Sequence, residues 1–254
     1  MRAIAILNLK GGVGKTVTAA TVARVLAADR HNTVQLIDAD QQGHLSQYFG
    51  VKADDNNSTY ALLTQGAGCY YPGFLTDTME NGIRIIPADI SLAYADTDKR
   101  VNVLAIRDLR EAMEEDQAAD YMLIDCPPSL GNASRAALLA ADEIIVPVRL
   151  DEFSRTGMEE LIHQVDTARE FNPKLRVAGI LGTQFQRTED EIKTYEYLRN
   201  RGDLPIFDTI IRYSKRMGSS LSRHESILTF SPHSAAAKDY RRFVREYLGE
   251  VARA

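Results

Sequence analysis

The stretch "NLKGGVGKTVTAA", residues 8–20, decides the fold. Its glycines, Gly11, Gly12 and Gly14, separate an apolar run, "AIAIL" (3–7), from a helix-forming run, "TVTAATVARVLAA" (16–28). Strand, glycine-rich turn and helix in that order are the context of a phosphate-binding loop. Glycine lets the chain curl so that successive backbone N–H groups face one anion. The positive end of the following helix adds to the field. Lys15 can reach the β- and γ-phosphates of a nucleoside triphosphate, and the Thr16 hydroxyl can ligate Mg²⁺. The loop offers Gly11, Gly12, Val13, Gly14, Lys15 and Thr16 to a nucleoside triphosphate and its Mg²⁺. The strict pattern G-x-x-x-x-G-K-[ST] asks for glycine at position 9. Leu9 stands there instead, and a second lysine, Lys10, comes five residues before Lys15. The loop is therefore a variant.

Outward from this loop, short apolar runs alternate with helix-length segments. The strand candidates are 3–7, 34–38, 83–87, 121–125, 143–148 and 177–183, with a weaker one at 206–211. Most are continuously apolar, as strands buried on both faces of a parallel sheet are. Helical periodicity runs from about Val101 to Glu115, with Val101, Leu104, Ala105, Leu109, Ala112 and Met113 on one face. It returns near the C-terminus, where Tyr240, Phe243, Val244, Tyr247, Leu248 and Val251 form an apolar stripe. Residues of about 50–82 read as loop plus a short helix. The fold class is α/β: a doubly wound, mostly parallel sheet with helices on both faces. With no internal repeat or linker, residues 1–254 read as a single ATPase domain with nothing ahead of the nucleotide site. Ligands of such sheets bind at the carboxyl ends of the strands.

Carboxylates stand at those ends. "DADQQGHLS" places Asp38 and Asp40 after one strand, and "DCPPS" places Asp125 after another. Triphosphate hydrolysis needs carboxylates there, one to order the waters on Mg²⁺ and one to orient the attacking water.

Composition narrows the class further. The 254 residues are 44% hydrophobic and 26% charged, ordinary for a soluble globular protein. No apolar run approaches a membrane span. The first strand starts at Ala3, which leaves no room for a signal peptide. Cys69 and Cys126 make neither a disulfide framework nor a metal cluster, and a reducing cytoplasm is the simplest assignment. The net charge of −5 is unevenly placed. Residues 199–254 carry 11 basic and 6 acidic side chains, while the remainder carries 19 and 29. A basic C-terminal quarter on an acidic body hints at an anionic partner.

Together "KGGVGKT", "LIDADQQG" and "LIDCPPSLG" resemble the ParA/MinD family of ATPases with a deviant phosphate loop. "RIIPADISLA", "ADEIIVPVRLDEFSRTG" and "SPHSAAAKDYRRF" extend the likeness over nearly the whole chain. It is most similar to the short ParA-type partition ATPases, which lack an N-terminal helix-turn-helix domain. The resemblance implies a cycle. ATP closes two subunits face to face, and the dimer binds double-stranded DNA without sequence preference. A ParB-type centromere-binding protein then stimulates hydrolysis and releases it. By that likeness Lys10 crosses to the partner subunit's phosphates, Lys15 acts in cis, Asp40 supports hydrolysis, and Asp38 and Asp125 hold the Mg²⁺ water shell. The protein would be cytoplasmic and nucleoid-associated.

Two positions depart from the family pattern. Val17 replaces a hydroxyl residue that touches the α-phosphate, a loss on the order of 1 kcal/mol. Gln41 replaces a proline, which is expected to loosen the switch loop. The segment "TIIRYSKRMGSSLSRHES" resembles the family's DNA-contacting stretch, so Arg212, Lys215 and Arg216 are the DNA candidates. Arg212 could instead sit at the base pocket. Arg241, Arg242 and Arg245 on the last helix are second candidates, and Thr183, Gln184 and Arg187 are candidates to border the adenine. The rival reading is MinD-like membrane targeting, which needs a C-terminal amphipathic helix free to lie on a bilayer. Here the tail's apolar positions fit a packed helix, so no membrane partner is expected. A redox cluster needs two reachable thiolates, and a cysteine in "DCPP" at a strand end is poorly placed for one.

Overall fold

The computed structural model describes residues 1–66, 75–151, 153–202 and 204–250. Seven strands form one sheet: β1 (Arg2–Ile6), β2 (Val34–Asp38), β3 (Thr76–Asp77), β4 (Ile83–Ile86), β5 (Tyr121–Asp125), β6 (Glu143–Arg149) and β7 (Arg176–Thr183). Their order across the sheet is β3-β4-β2-β5-β1-β6-β7. Every pairing is parallel except that of β3 with β4.

Side chains alternate across β1 and seed a core on each face. Ala3, Ala5 and Leu7 join the cluster containing Met122, Ile124, Leu109 and Leu161. Ile4 and Ile6 join the other, with Leu36, Leu123, Ala20, Phe243 and Val244. The first face is covered by α3 (Thr59–Gln65), α4 (Ala105–Glu115), α5 (Asn132–Ala140) and α6 (Phe153–Arg169). The second is covered by α1 (Lys15–Arg24), α2 (His44–Tyr48), α9 (Ile227–Phe230) and α10 (Ala235–Tyr247), with α7 (Glu189–Arg201) and α8 (Lys215–Ser222) lying between β7 and α9 in the chain. Sheet residues on the two faces are buried, which explains the continuous apolar runs of the strands. The chain leaves β1 for one side of the sheet and later lays β6 on the other, so the carboxyl end of β1 is a switch point.

Three elements differ from the sequence reading. Residues 206–211 form no strand: an isolated bridge joins Ile206 to Ile180 of β7, and another joins Arg212 to Phe185. Phe207 and Ile211 donate backbone hydrogen bonds to Ile180 and Gly182. Between them the N–H groups of Asp208 and Thr209 donate to the Glu246 carboxylate of α10, at 2.7 and 2.8 Å, and this interrupts the ladder. Helix α4 begins at Ala105, not Val101. The Asn102 side chain accepts from Leu104 N–H at 2.9 Å and holds the preceding residues in a turn. The buried face of α4 is Ala105, Ile106, Leu109 and Met113. Within 50–82 the chain forms α3 and the short strand β3, while 67–74, including Cys69, lie outside the described residues. In α10, Tyr240, Phe243, Val244 and Tyr247 are buried as their spacing predicts, and Val251 lies outside the described residues.

Candidate nucleotide-binding site

The glycine-rich turn runs from the carboxyl end of β1 into α1. Gly12 and Gly14 have φ of 73° and 89°, the left-handed region that glycine adopts without strain. Gly14 caps α1, whose first residue is Lys15. The loop is braced from β7. Thr183 Oγ1 donates to Val13 O at 2.8 Å, and Gln184 Nε2 donates to Gly12 O at 2.7 Å. Lys15 is buried, and its Nζ donates to Lys10 O at 3.1 Å. Burial lowers the Lys15 pKa, against the opposing pull of Asp125, Cys126 and Asp40.

Parallel pairing puts Asp38 opposite Asp125 in register, the last residues of β2 and β5. Both are buried. Asp38 accepts from Ser46 N–H at 2.8 Å, Ser46 Oγ at 2.6 Å and Asp40 N–H at 3.2 Å. Burial pushes its carboxyl up to about 6 against those hydrogen bonds. Among the described residues neither carboxylate oxygen of Asp125 has a partner in good hydrogen-bonding geometry. Burial, and then the charge of Asp38, hold its carboxyl well above the usual range, although Thr16 and Lys15 pull the other way. A buried carboxylate without a donor suits a cation. Mg²⁺ takes one or two carboxylates and completes its shell with waters and substrate phosphates. Thr16, Asp38 and Asp125 meet that description at the mouth of the loop.

Asp40 stands farther out and is half-buried. Its carboxylate accepts from Gln42 N–H at 3.0 Å, and its carbonyl accepts from Gly43 N–H at 2.9 Å. Exposed Gln41 occupies the turn so closed, which is a tied turn in spite of the missing proline. Gly43 has a φ of 61°, and a Cβ on it would lie 2.6 Å from Ala88 O. Ser46 completes the tie, since its Oγ accepts from Ala88 N–H at 2.9 Å while donating to Asp38.

A cavity of about 590 Å³ opens over the loop. Gly11, Gly12, Gly14, Lys15, Thr16 and Asp40 line it. Thr183, Gln184, Arg212, Tyr213, Lys215 and Met217 line it as well. Val17 is half-buried, lines this cavity and packs against the apolar cluster beneath α1. Its methyls therefore replace a hydroxyl with part of an apolar wall. Val13 is buried behind the loop.

The remaining sequence candidates divide. Thr183 and Gln184 line the cavity, but Arg187 is exposed and does not. Arg212 is tied to Asp239 and lines the cavity, which favours the base-pocket alternative for it. Lys215 and Arg216 are exposed in the first turn of α8 (Lys215–Ser222). Arg241 pairs with Asp29 at 2.8 Å, while Arg242 and Arg245 are exposed. Lys10 is held by Asp151, at 2.7 and 2.6 Å from its two carboxylate oxygens. Asp151, Ser46 and Asp239 carry no local sequence signal, because their partners are distant in the chain. Cys126 is fully buried, which suits no exposed cluster. The apolar face of α10 is packed on the sheet, and among the described residues no helix is long and apolar enough to cross a membrane.

A family model described as an AAA domain matches residues 1–177. The chain is 31% identical to the sporulation initiation inhibitor protein Soj of Bacillus subtilis over 247 residues, 96% of each chain. It is 34% identical to the chromosome-partitioning ATPase Soj of Thermus thermophilus, covering 100% of this chain and 98% of the relative. Among solved structures, a cobyrinic acid a,c-diamide synthase from Mycobacterium smegmatis with bound ADP and magnesium superimposes with a TM-score of 0.80. The identity is 27%, over 100% of this chain and 98% of that one.

Proposed function

The chain belongs to the AAA-domain family that includes the Soj and ParA chromosome-partitioning proteins, and on that premise we propose that it is the ATP-driven switch of a DNA partition system. The observation that carries the ATPase reading is the buried Asp125 carboxylate beside Asp38 at the phosphate loop, which among the described residues has no well-formed hydrogen bond.

In this reading residues 1–254 act as one ATPase domain. The N–H groups from Gly11 to Val17 and the Lys15 ammonium bind the triphosphate of ATP. Thr16, Asp38 and Asp125 would hold Mg²⁺ and its water shell, and the ion would neutralise charge that develops on the transferred phosphoryl group. Asp40 orients the attacking water. Lys10 from a second copy supplies positive charge in trans, as an arginine finger does. That dependence makes the working unit an ATP-closed homodimer. Hydrolysis is slow until a ParB-type partner stimulates it.

The dimer binds double-stranded DNA through phosphates, with Lys215 and Arg216 on the exposed turn of α8 as the first contacts and Arg212 chiefly shaping the base pocket. This places the protein on the nucleoid in the cytoplasm. The test is co-sedimentation with DNA in ATP or ADP across a salt series. The expected result is ATP-dependent, sequence-indifferent binding that falls steeply with salt. ATP-driven binding to liposomes and not to DNA would overturn the partition reading in favour of membrane positioning.

A further inference from the structure

Lys10 and Asp151 are brought together by the fold rather than by chance contact of two long side chains. Lys10 N–H donates to Asn8 Oδ1 at 2.9 Å, and Asn8 Nδ2 donates to Pro147 O in β6 at 2.7 Å. Asn8 thus fixes the start of the phosphate loop to the strand that ends just before Asp151. At its other end the Lys10 carbonyl accepts from Lys15. The Asp151 N–H donates to Arg149 O at 2.8 Å, which turns the chain at the end of β6. With both backbones pinned, the Lys10 ammonium reaches both Asp151 oxygens. The two side chains are about a third exposed, at 36% and 30%, and lie at the carboxyl edge of the sheet.

An ammonium that spans both oxygens of one carboxylate in its own subunit is not available to phosphates in another. We propose that Asp151 is a cis latch on Lys10: it holds the lysine in the isolated subunit and must release it when two ATP-loaded copies close. Asp151 is a positioning residue that sets the protein concentration at which the dimer forms. The inference rests on the trans role of Lys10 given above. Each closure opens two latches. Partly exposed ion pairs are individually weak, so removing both tightens the dimer by roughly 2- to 30-fold. The pair is also open to salt, so the gain shrinks as ionic strength rises.

The experiment is sedimentation equilibrium of the full chain with Mg²⁺ and a slowly hydrolysed ATP analogue, at low and high salt. The proteins are wild type, Asp151→Asn, Asp151→Glu, Lys10→Ala and the Lys10→Ala/Asp151→Asn double variant. Asp151→Asn is expected to dimerise at lower concentration than wild type, with Asp151→Glu restoring most of the latch. The advantage narrows at high salt and is reversed by Asp151→Glu, a pattern that a merely structural role for Asp151 would not produce, and the double variant stays monomeric like Lys10→Ala. A weaker dimer for Asp151→Asn, or an advantage that is the same at low and high salt, overturns the latch. If Lys10→Ala loses the dimer while Asp151→Asn matches wild type, the latch alone is wrong. If Lys10→Ala dimerises and hydrolyses ATP normally, the trans-lysine reading fails and the latch fails with it.

Discussion

Arg212 and Asp239 are joined by two parallel hydrogen bonds, Nε to Oδ2 at 2.8 Å and Nη2 to Oδ1 at 2.6 Å. The backbone N–H of Arg212 adds a third to the same carboxylate at 3.0 Å. A planar fork on a carboxylate is the geometry in which arginine is hardest to replace. It fastens the segment just ahead of α8 to α10 and so fixes one wall of the cavity over the phosphate loop.

Arg212 and the basic residues of α8 should therefore separate by assay. Arg212→Ala is expected to weaken ATP binding about tenfold by isothermal titration, by loosening that wall. Arg216→Ala should leave ATP affinity unchanged and lower DNA affinity for all sequences alike. The slope of log K against log salt should fall by about one unit, as for one lost phosphate contact. If Arg212→Ala changed only the DNA slope, its assignment to the nucleotide wall would be wrong.

Val17→Thr supplies the hydroxyl that the loop lacks. Threonine is close to valine in shape, and position 17 is only half-buried, so folding should be little affected. One recovered neutral hydrogen bond corresponds to about 1 kcal/mol, or roughly a fivefold tighter ATP dissociation constant. An unchanged or weaker constant would mean that the apolar wall contributes more than the missing oxygen.

Asp125 sets stability against function. Its carboxyl pKa is raised in the folded protein, first by burial and then by Asp38. A raised carboxyl favours the folded state while protonated and loses that advantage as pH rises through the folded value. The metal-free protein should therefore grow less stable as pH climbs above the ordinary carboxylate range. Asp125→Asn removes the charge and keeps a side-chain oxygen for Thr16. At neutral pH in a chelator it should be about 1–3 kcal/mol more stable than wild type in urea melts, with the gap closing toward pH 4. It should also lose the extra stability that ATP with Mg²⁺ confers on wild type. A variant less stable than wild type at pH 8 would contradict this account.

Gly43→Ala tests the turn after Asp40. The new methyl would meet Ala88 O at 2.6 Å from a left-handed backbone, and neither backbone segment can yield cheaply. A loss of about 2–4 kcal/mol is expected by denaturant unfolding. Gln41→Pro, at an exposed position, should change stability by far less.

Much of this fold is legible in the sequence because its signals are local. Six of the strands carry continuous apolar runs, and α10 carries its stripe at helical spacing. The phosphate loop is legible for the same reason, since glycine, lysine and threonine must follow one another for the backbone to wrap an anion. What stayed hidden depends on residues far apart. Nothing near Asp208 announces that Glu246 will take its N–H and break a seventh apolar run as a strand. Nothing near Lys10 announces Asp151, 141 residues away. The register that sets Asp38 beside Asp125 comes from how β2 and β5 pair across the sheet, a choice made by the whole core. Position 102 is an intermediate case, where a turn-forming asparagine is visible but the helical periodicity around it is louder.

The strand order has a consequence for how the protein is made. β1 lies between β5 and β6, with Ile6 paired to Asp125 on one side and to Ile145 on the other. The phosphate loop is thus translated more than a hundred residues before either of its flanking strands. A ribosome-bound chain stalled ahead of residue 121 carries the whole glycine-lysine signature yet holds neither Asp125 nor a sheet to set the loop upon. Pairing over such separations is slow, and an unpaired central strand exposed in the meantime invites wrong partners. Nucleotide affinity in this protein is therefore a late event of synthesis. The phosphate loop waits for strands made long after it, and chaperone demand should peak between the emergence of β1 and that of β6.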